Sequence, residues 1–401
     1  MFKVTKQKKT TIGLLLAVIA TGALMRAPIT TLPLVLKQLA DSLHVSQGSL
    51  GILTTLPLVM FLIFSNFASI PLARIGIKKS MGISILLLLL GSIIRAIVTM
   101  PTMLIGTILI GIGIAHLNVY MPSFIKAYFP DRIDVYTTLY SFSMNLGSGA
   151  FNLITAPVVN GFGWRSILMI LAVAPALVMA IWLFASSGLQ EKLKISRNKQ
   201  INRSKKGQSI WTNTKAWPFL ITFGCQSLLN YTLAAWFPVL MAYHHLNPGS
   251  IGIIVAVYSL MGIPVYLVMP RLLIQLGRMG TSVIIFLGGL CGLIAGGMLF
   301  FQGTSSFVFW MTESVLIGLS ISFFFIYATT MFGVKTNDPM TTARLSGMAQ
   351  SGGYFLAALG PSAYGLAFKI NPIGITQNVA YLMIIIVAVI AALLVARTDK
   401  V

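Results

Sequence analysis

Apolar residues fill this chain in long runs, separated by short stretches where charged residues, glycine and proline gather. The runs lie near 11-36, 47-73, 80-100, 102-128, 134-160, 164-187, 216-242, 249-273, 280-301, 305-332, 341-368 and 376-397. Each reaches or exceeds the roughly 20 residues that a helix needs to cross a bilayer. The pattern therefore predicts an all-α membrane protein of twelve transmembrane helices. The longest polar stretch, Gly188 to Lys215, is rich in Lys, Ser, Asn and Gln and reads as a flexible linker. It divides the chain into an N-terminal six-helix bundle over 1-187, the linker over 188-215, and a C-terminal six-helix bundle over 216-401.

The two halves repeat one another. Ser49-Leu50-Gly51-Ile52 returns as Ser250-Ile251-Gly252-Ile253, and the same offset carries Met60 to Met261 and Gly76 to Gly277. Leu109-Ile110-Gly111 with Tyr120 returns as Leu316-Ile317-Gly318 with Tyr327, and Met144, Gly149, Pro157 and Gly161 return as Met348, Gly353, Pro361 and Gly365. Matches that keep their order at a nearly constant offset point to duplication, and duplicated helical halves are transporter architecture.

Composition agrees with the pattern: 57% of the 401 residues are hydrophobic and 9% charged, against about a quarter charged in soluble domains. The formal net charge of +21 does not mark a nucleic-acid surface, because the Lys and Arg are scattered over short alternate loops rather than gathered on one face. Lys3 to Lys9, Arg74 to Lys79, Lys126 to Arg132, Lys192 to Lys215, Arg271 to Arg278, Lys335 to Arg344 and the C-terminus hold nearly all of them. The opposite loops hold Lys37, Arg165 and Lys369 alone. This asymmetry places both termini in the cytoplasm and the protein in the cell membrane. The basic start followed by an apolar run imitates a secretion signal, but the run continues to Leu36, so no cleavage is expected. Cys225 and Cys291 lie in apolar segments without ligand spacing and imply neither disulfide nor metal.

Polar side chains within the apolar runs are the candidates for chemistry. Arg26 stands roughly 15 residues, or about 22 Å, into the first predicted helix. A guanidinium there costs about 3 kcal/mol or more to insert and cannot deprotonate, so it needs water, a partner or an anion. Arg95 lies near the outer end of the third helix, where its side chain can snorkel to the headgroups. Glu313 is the one carboxylate inside an apolar run and can carry a coupling proton, pair with an arginine, or sit in a wet vestibule. His116 and Asn118, two residues apart, cannot share one narrow helix face; His116 is either a proton site or a hydrogen-bonded packing residue. Gln226 with Asn230, Ser227 with Tyr231, and Gln350 with Tyr354 stack at spacings of four, with Trp236 following. Such side chains are cavity lining or glue between helices. The residues contain no paired carboxylates, no phosphate-cradling loop and no triad or ligand set, which excludes an enzyme and a nucleotide-driven pump and leaves transport on gradients without a cofactor.

Four segments carry a family resemblance: Met25-Arg26-Ala27-Pro28-Ile29-Thr30; Asn118-Val119 through Pro122, Ile125-Lys126 and Phe129-Pro130; Gln226-Ser227 through Tyr231 to Trp236-Phe237-Pro238; and Leu345-Ser346-Gly347-Met348-Ala349-Gln350 through Gly360-Pro361. Together they resemble the cyanate and 2-nitroimidazole transporter family within the major facilitator superfamily. The resemblance implies a central cavity lined mainly by helices one, four, seven and ten, with Arg26, Asn118, Tyr231, Trp236 and Glu313 near substrate. It also implies a conformational loop between helices two and three, here Arg74, Gly76, Lys78 and Lys79, although Ala73 stands where the superfamily usually has an acid. His116 is not a residue the family leads one to expect. The reading is a secondary transporter, functional as a monomer, moving a small anionic or polar solute. A proton-coupled multidrug exporter using Glu313 and a non-transporting membrane sensor are its rivals.

Overall fold

The computed structural model describes residues 2–45, 50–189, 209–372 and 374–401, and among them it is helical without strands. Helix α1 (Phe2–Leu24) is followed by the short α2 (Ala27–Thr30), a 3-10 turn (Leu32–Val35) and α3 (Leu36–Leu43). Then come α4 (Ile52–Phe67), α5 (Ser69–Ile75), α6 (Ile77–Arg95), α7 (Met100–Tyr128), α8 (Ile133–Phe162) and α9 (Arg165–Ser186). Beyond the linker stand α10 (Trp217–Tyr243), α11 (Pro248–Leu260), α12 (Gly262–Gln275), α13 (Gly277–Met298), α14 (Phe307–Val334), α15 (Pro339–Ile370) and α16 (Ile375–Arg397).

Eight of these helical stretches are long and apolar enough to cross a membrane, or nine when α4 and α5, bent by 49° at Ala68, are taken together. The remaining long helices, α8, α10 and α15, have 30, 27 and 32 residues. They have the length, but Asn145, Ser148 and Asn152 on α8, Gln226 and Asn230 on α10, and Gln350 and Ser351 on α15 dilute their apolar character.

The chain divides into two compact units, one of residues 1–208 with Asp338–Gly347, the other of Ser209–Asn337 with Met348–Val401. In the first, Leu32, Val35, Leu39, Leu53, Met103, Ile167 and Leu171 form a core that joins the irregular end of the first span to α4, α7 and α9. In the second, Phe237, Ile254, Leu299, Trp310, Ile317, Tyr381 and Ile385 form the corresponding core.

The internal repeat is visible as a shared contact. A Cβ on Gly111 of α7 would lie 2.8 Å from Cβ of Met60, and a Cβ on Gly318 of α14 would lie 2.8 Å from Cβ of Met261. Matched methionines thus pack on matched glycines, each letting two helix backbones approach as small residues do in membranes. Gly76 (φ 84°) and Gly277 (φ 63°), also a matched pair, both turn the chain in the left-handed region that favours glycine.

One expectation needs correction. The first helix is not continuous over 11-36; it stops at Leu24 and resumes as short pieces. Of the linker, residues 190–208 lie outside the described residues, and Ile210–Thr212 and Thr214–Ala216 form 3-10 turns. There the Asn213 side chain accepts from the Lys215 amide at 3.0 Å, and the Trp217 indole donates to the Trp211 carbonyl at 3.1 Å. These bonds hold the entry to α10.

Gly111→Ala and Gly318→Ala are each expected to lower thermal stability by about 1–3 kcal/mol through overpacking against methionine. Gly149, whose Cβ would meet nothing within 4 Å, should tolerate alanine with no loss. Melting of the three purified variants in detergent checks the contrast.

Candidate functional site

The break in the first span follows from its prolines. Pro28 has no amide hydrogen, so it cannot donate to the Leu24 carbonyl four residues back, and its ring crowds that carbonyl. The helix closes with the Met25 amide bonded to Gly22 O at 3.0 Å. Arg26 then adopts a non-helical φ of -123° with ψ -33°. Its own carbonyl accepts from the amides of Ile29 and Thr30, both at 3.0 Å, and starts α2.

Arg95 props this break open. Its side chain is only 3% exposed, and Nη1 donates to the Pro28 carbonyl at 2.9 Å. The snorkelling expected of Arg95 is therefore replaced by a buried cap on an irregular backbone. The cause is the break itself, which frees a carbonyl at membrane depth that must find a donor.

Arg26 is half-buried, and its Nη1 donates to Asn145 Oδ1 on α8 at 3.2 Å. Asn145 in turn donates to the Ser141 carbonyl at 2.9 Å, which fixes the amide so that its oxygen meets the guanidinium. One turn on, the Thr30 and Ser148 hydroxyls bond at 2.7 Å, and the Thr31 hydroxyl donates to Asn152 Oδ1 at 3.0 Å. Asn145, Ser148 and Asn152 follow at three and four residues and so share one face of α8. The approach is close: a Cβ on Gly22 would lie 2.8 Å from the Tyr140 carbonyl, and one on Gly147 would collide with Ala23. The sequence reading passed over Asn145, Ser148 and Asn152; their spacing on a helix matched to the one carrying Gln350 was the available signal.

Two other candidates of this unit lie on α7. Asn118 is half-buried. His116 is half-buried among aromatic rings, edge-on to Phe64 at 6.2 Å and stacked on Tyr120 at 5.5 Å. Arg74 lies in the last turn of α5, Gly76 makes the turn, and Lys78 lies in the first turn of α6.

The second unit gathers Tyr231 and Tyr354, whose rings meet edge-on at 6.3 Å, with Phe223 against Tyr354 at 5.6 Å. Gln226 and Gln350 are buried, and Gln226 Oε1 accepts from the Ser227 hydroxyl at 3.1 Å. Trp236 sits apart from the tyrosine pair: its indole donates to the Pro361 carbonyl at 2.8 Å and packs on Tyr364 and Phe368. Asn230 accepts from the Tyr258 hydroxyl at 3.2 Å.

Glu313 of α14 is fully buried, and neither carboxyl oxygen has a hydrogen-bond partner. That removes the wet vestibule. It removes the arginine pair too, since the ion pair among the described residues joins Arg278 and Asp399. No cluster of three or more His, Cys, Asp or Glu stands among the described residues to hold a metal.

Arg95→Met should therefore destabilise the fold by about 1.5–3 kcal/mol, the worth of a charged hydrogen bond to an otherwise unsatisfied carbonyl. Arg26→Ala, half-buried and bonded to a neutral amide, should cost less. Urea or thermal melting of both variants checks the order.

The profile of the Major Facilitator Superfamily matches residues 14–361. The chain is 31% identical over 351 residues to an uncharacterised transporter of Bacillus subtilis (strain 168), covering 86% of this chain and 83% of that one. It is 28% identical over 364 residues to the 2-nitroimidazole transporter of Escherichia coli (strain K12), covering 90% of each. To the cyanate transport protein of the same organism it is 24% identical over 363 residues, covering 89% and 90%. Its fold matches that of the proton:xylose symporter XylE with a TM-score of 0.76 over 96% of this chain and 95% of that one, at 12% identity. An all-helical chain with a broken first span, repeated halves and this profile over most of its length is a multi-pass membrane transporter of the major facilitator superfamily.

Proposed function

We propose that this transporter moves a small anionic or small, planar, polar solute, of the cyanate or nitroimidazole kind, across the cytoplasmic membrane by alternating access. The observation that carries the reading is the posture of Arg26 at the helix break. Its Nη1 donates to the neutral amide oxygen of Asn145, which orients the guanidinium at the end of the broken helix. A guanidinium can meet a nitro group with two parallel hydrogen bonds and a small linear anion such as cyanate through its charge. Two relatives whose names state a solute, 2-nitroimidazole and cyanate, support the same class.

In this reading the twelve predicted spans all cross the membrane, with α8, α10 and α15 tolerated because their polar faces turn away from lipid, and both termini lie in the cytoplasm. The two repeats have six helices each, the monomer is the working unit, and no cofactor is needed. Arg26 takes the solute's charge, with Asn145 as its positioning residue. Asn118, Gln226, Gln350, Tyr231 and Tyr354 supply uncharged donors, acceptors and ring faces, and Trp236 braces α10 on α15. Arg74, Gly76 and Lys78 form the loop that changes with conformation. The unpartnered Glu313 favours a second reading, a proton-coupled exporter of cationic or lipophilic drugs. His116, ringed by aromatic side chains, adds little to that reading.

Counterflow of labelled cyanate and 2-nitroimidazole in proteoliposomes separates the two. The proposal expects exchange by the wild type, loss in Arg26→Ala, and weak exchange in Arg26→Lys, whose point charge lacks the fork. Full exchange by Arg26→Ala, or transport of lipophilic cations instead, contradicts it.

A further inference from the structure

Three spans of the second unit end around one recess. Gly277 opens α13, Val334 closes α14 and Arg397 closes α16, and between these ends and the last turns of α12 lies a cavity of about 170 Å³. That is several times the share of one water, about 30 Å³. Arg278 and Lys335 line it, with Gly277, Val334 and Ala396 beside them. No side chain caps the start of α13, so its first amides add donors and partial positive charge at the edge of the recess.

The chain beyond α16 folds back over the end of α14. The Val401 amide donates to the Lys335 carbonyl at 2.9 Å. Lys335 Nζ donates to the carbonyls of Ala396 and Thr398 at 2.9 and 2.6 Å, and Lys400 Nζ to those of Val334 and Thr336 at 3.2 and 3.4 Å. Each lysine thus caps the last carbonyls of the other's helix. Carbonyls carry no net charge, so these bonds leave both ammonium charges standing. The ion pair among the described residues joins Arg278 to Asp399, and both side chains are largely exposed. Three cations therefore share one side-chain carboxylate. The crowding is felt at Lys335, whose ammonium is pushed below its ordinary range by burial first, then by Arg278 and Lys400, with Asp399 opposing them.

The recess opens beside apolar side chains. Ile274, Leu276 and Met279 around the turn that carries Arg278 are all exposed, Met279 at 84%. A free anion has no use for such a margin, whereas a phospholipid brings a phosphate for the cations and acyl chains for the apolar rim. With both termini in the cytoplasm, as proposed above, this end meets the leaflet where anionic lipids gather, and basic pockets between spans on that side suit their headgroups.

We propose that this recess is a headgroup site for one anionic phospholipid, whose phosphate is held by Arg278 in the field of Lys335 and Lys400 while its chains lie along Ile274, Leu276 and Met279. Phosphate oxygens accept from the planar guanidinium in parallel. Asp399 is the competitor that the phosphate displaces, and its exposed pair with Arg278 is already weakened by water and salt. The site lies wholly within the second unit and is independent of the solute carried.

Melting of the purified protein in mild detergent tests it with no solute present. Dioleoyl phosphatidylglycerol should raise the melting temperature in a concentration-dependent way, and dioleoyl phosphatidylcholine, whose headgroup has no net charge, should not. Arg278→Gln should bind phosphatidylglycerol roughly tenfold more weakly, the loss expected for one charged hydrogen-bonding partner. Asp399→Asn should bind it more tightly, because the competing carboxylate is gone; a tail that only clasps the helices would gain no lipid affinity from that change. Lys215→Gln, which removes a cation outside the recess, should leave the response as it is. Arg278 and Asp399 are largely exposed, so neither substitution disturbs the core. Native mass spectrometry of the same samples should find a phosphatidylglycerol retained on the wild type that Arg278→Gln releases.

Equal shifts with the two lipids, an unchanged response in Arg278→Gln, or an equal loss in Lys215→Gln overturns the proposal. Stabilisation by inorganic phosphate that matches phosphatidylglycerol overturns it too, since the recess would then serve a free anion.

Discussion

A proline that cannot donate a hydrogen bond sets the terms of the N-terminal unit. Pro28 leaves the Leu24 carbonyl without its helical donor, so α1 ends there and the chain restarts at Arg26. Inside a membrane such a break survives only where buried protein groups or water satisfy the freed backbone. The buried Arg95 guanidinium donates to the carbonyl of Pro28 in the restarted segment, and the Thr30 and Thr31 hydroxyls tie that segment to Ser148 and Asn152 on α8. Arg26, at the break itself, is thereby held against Asn145 rather than along a continuous helix face. The two arginines of this unit thus divide their work: Arg95 holds the backbone, and Arg26 meets the amide of Asn145 on α8.

The second unit solves a different problem. Its helices pack on a core of aliphatic side chains with Phe237, Trp310 and Tyr381 among them, and the matched contacts of Met60 on Gly111 and Met261 on Gly318 show the same helix pairing underlying both units. Duplication supplied the scaffold twice, and the charged chemistry then diverged. The N-terminal copy holds two guanidiniums, the half-buried Arg26 and the buried Arg95, and the C-terminal copy buries a carboxyl, Glu313.

Much of the helical order was legible in the sequence because apolar runs of membrane length leave little ambiguity. The run over 102-128 returned as Met100–Tyr128, and that over 376-397 as Ile375–Arg397. The break near Arg26 was missed although Pro28 and Pro33 announce it, because unbroken hydropathy outweighed the missing donors. Arg95 was misplaced for a related reason: its depth was counted along its own helix, while its partner is a carbonyl on another. Glu313 stands out by type in the sequence, but whether it is wet, paired or dry depends on long-range packing. Asn145, Ser148 and Asn152 were spaced for one face, yet without the break there was no side chain for that face to meet.

The claim that ties these observations together is that Arg26 is the cation the solute meets. Its most direct test is ligand-induced thermal stabilisation of purified protein, since a ligand that binds the native state raises its stability by mass action. Cyanate, nitrite and 2-nitroimidazole should raise the melting temperature of the wild type in a concentration-dependent way and leave Arg26→Ala unmoved. An equal rise in Arg26→Ala, or stabilisation of the wild type by lipophilic cations alone, would contradict the account.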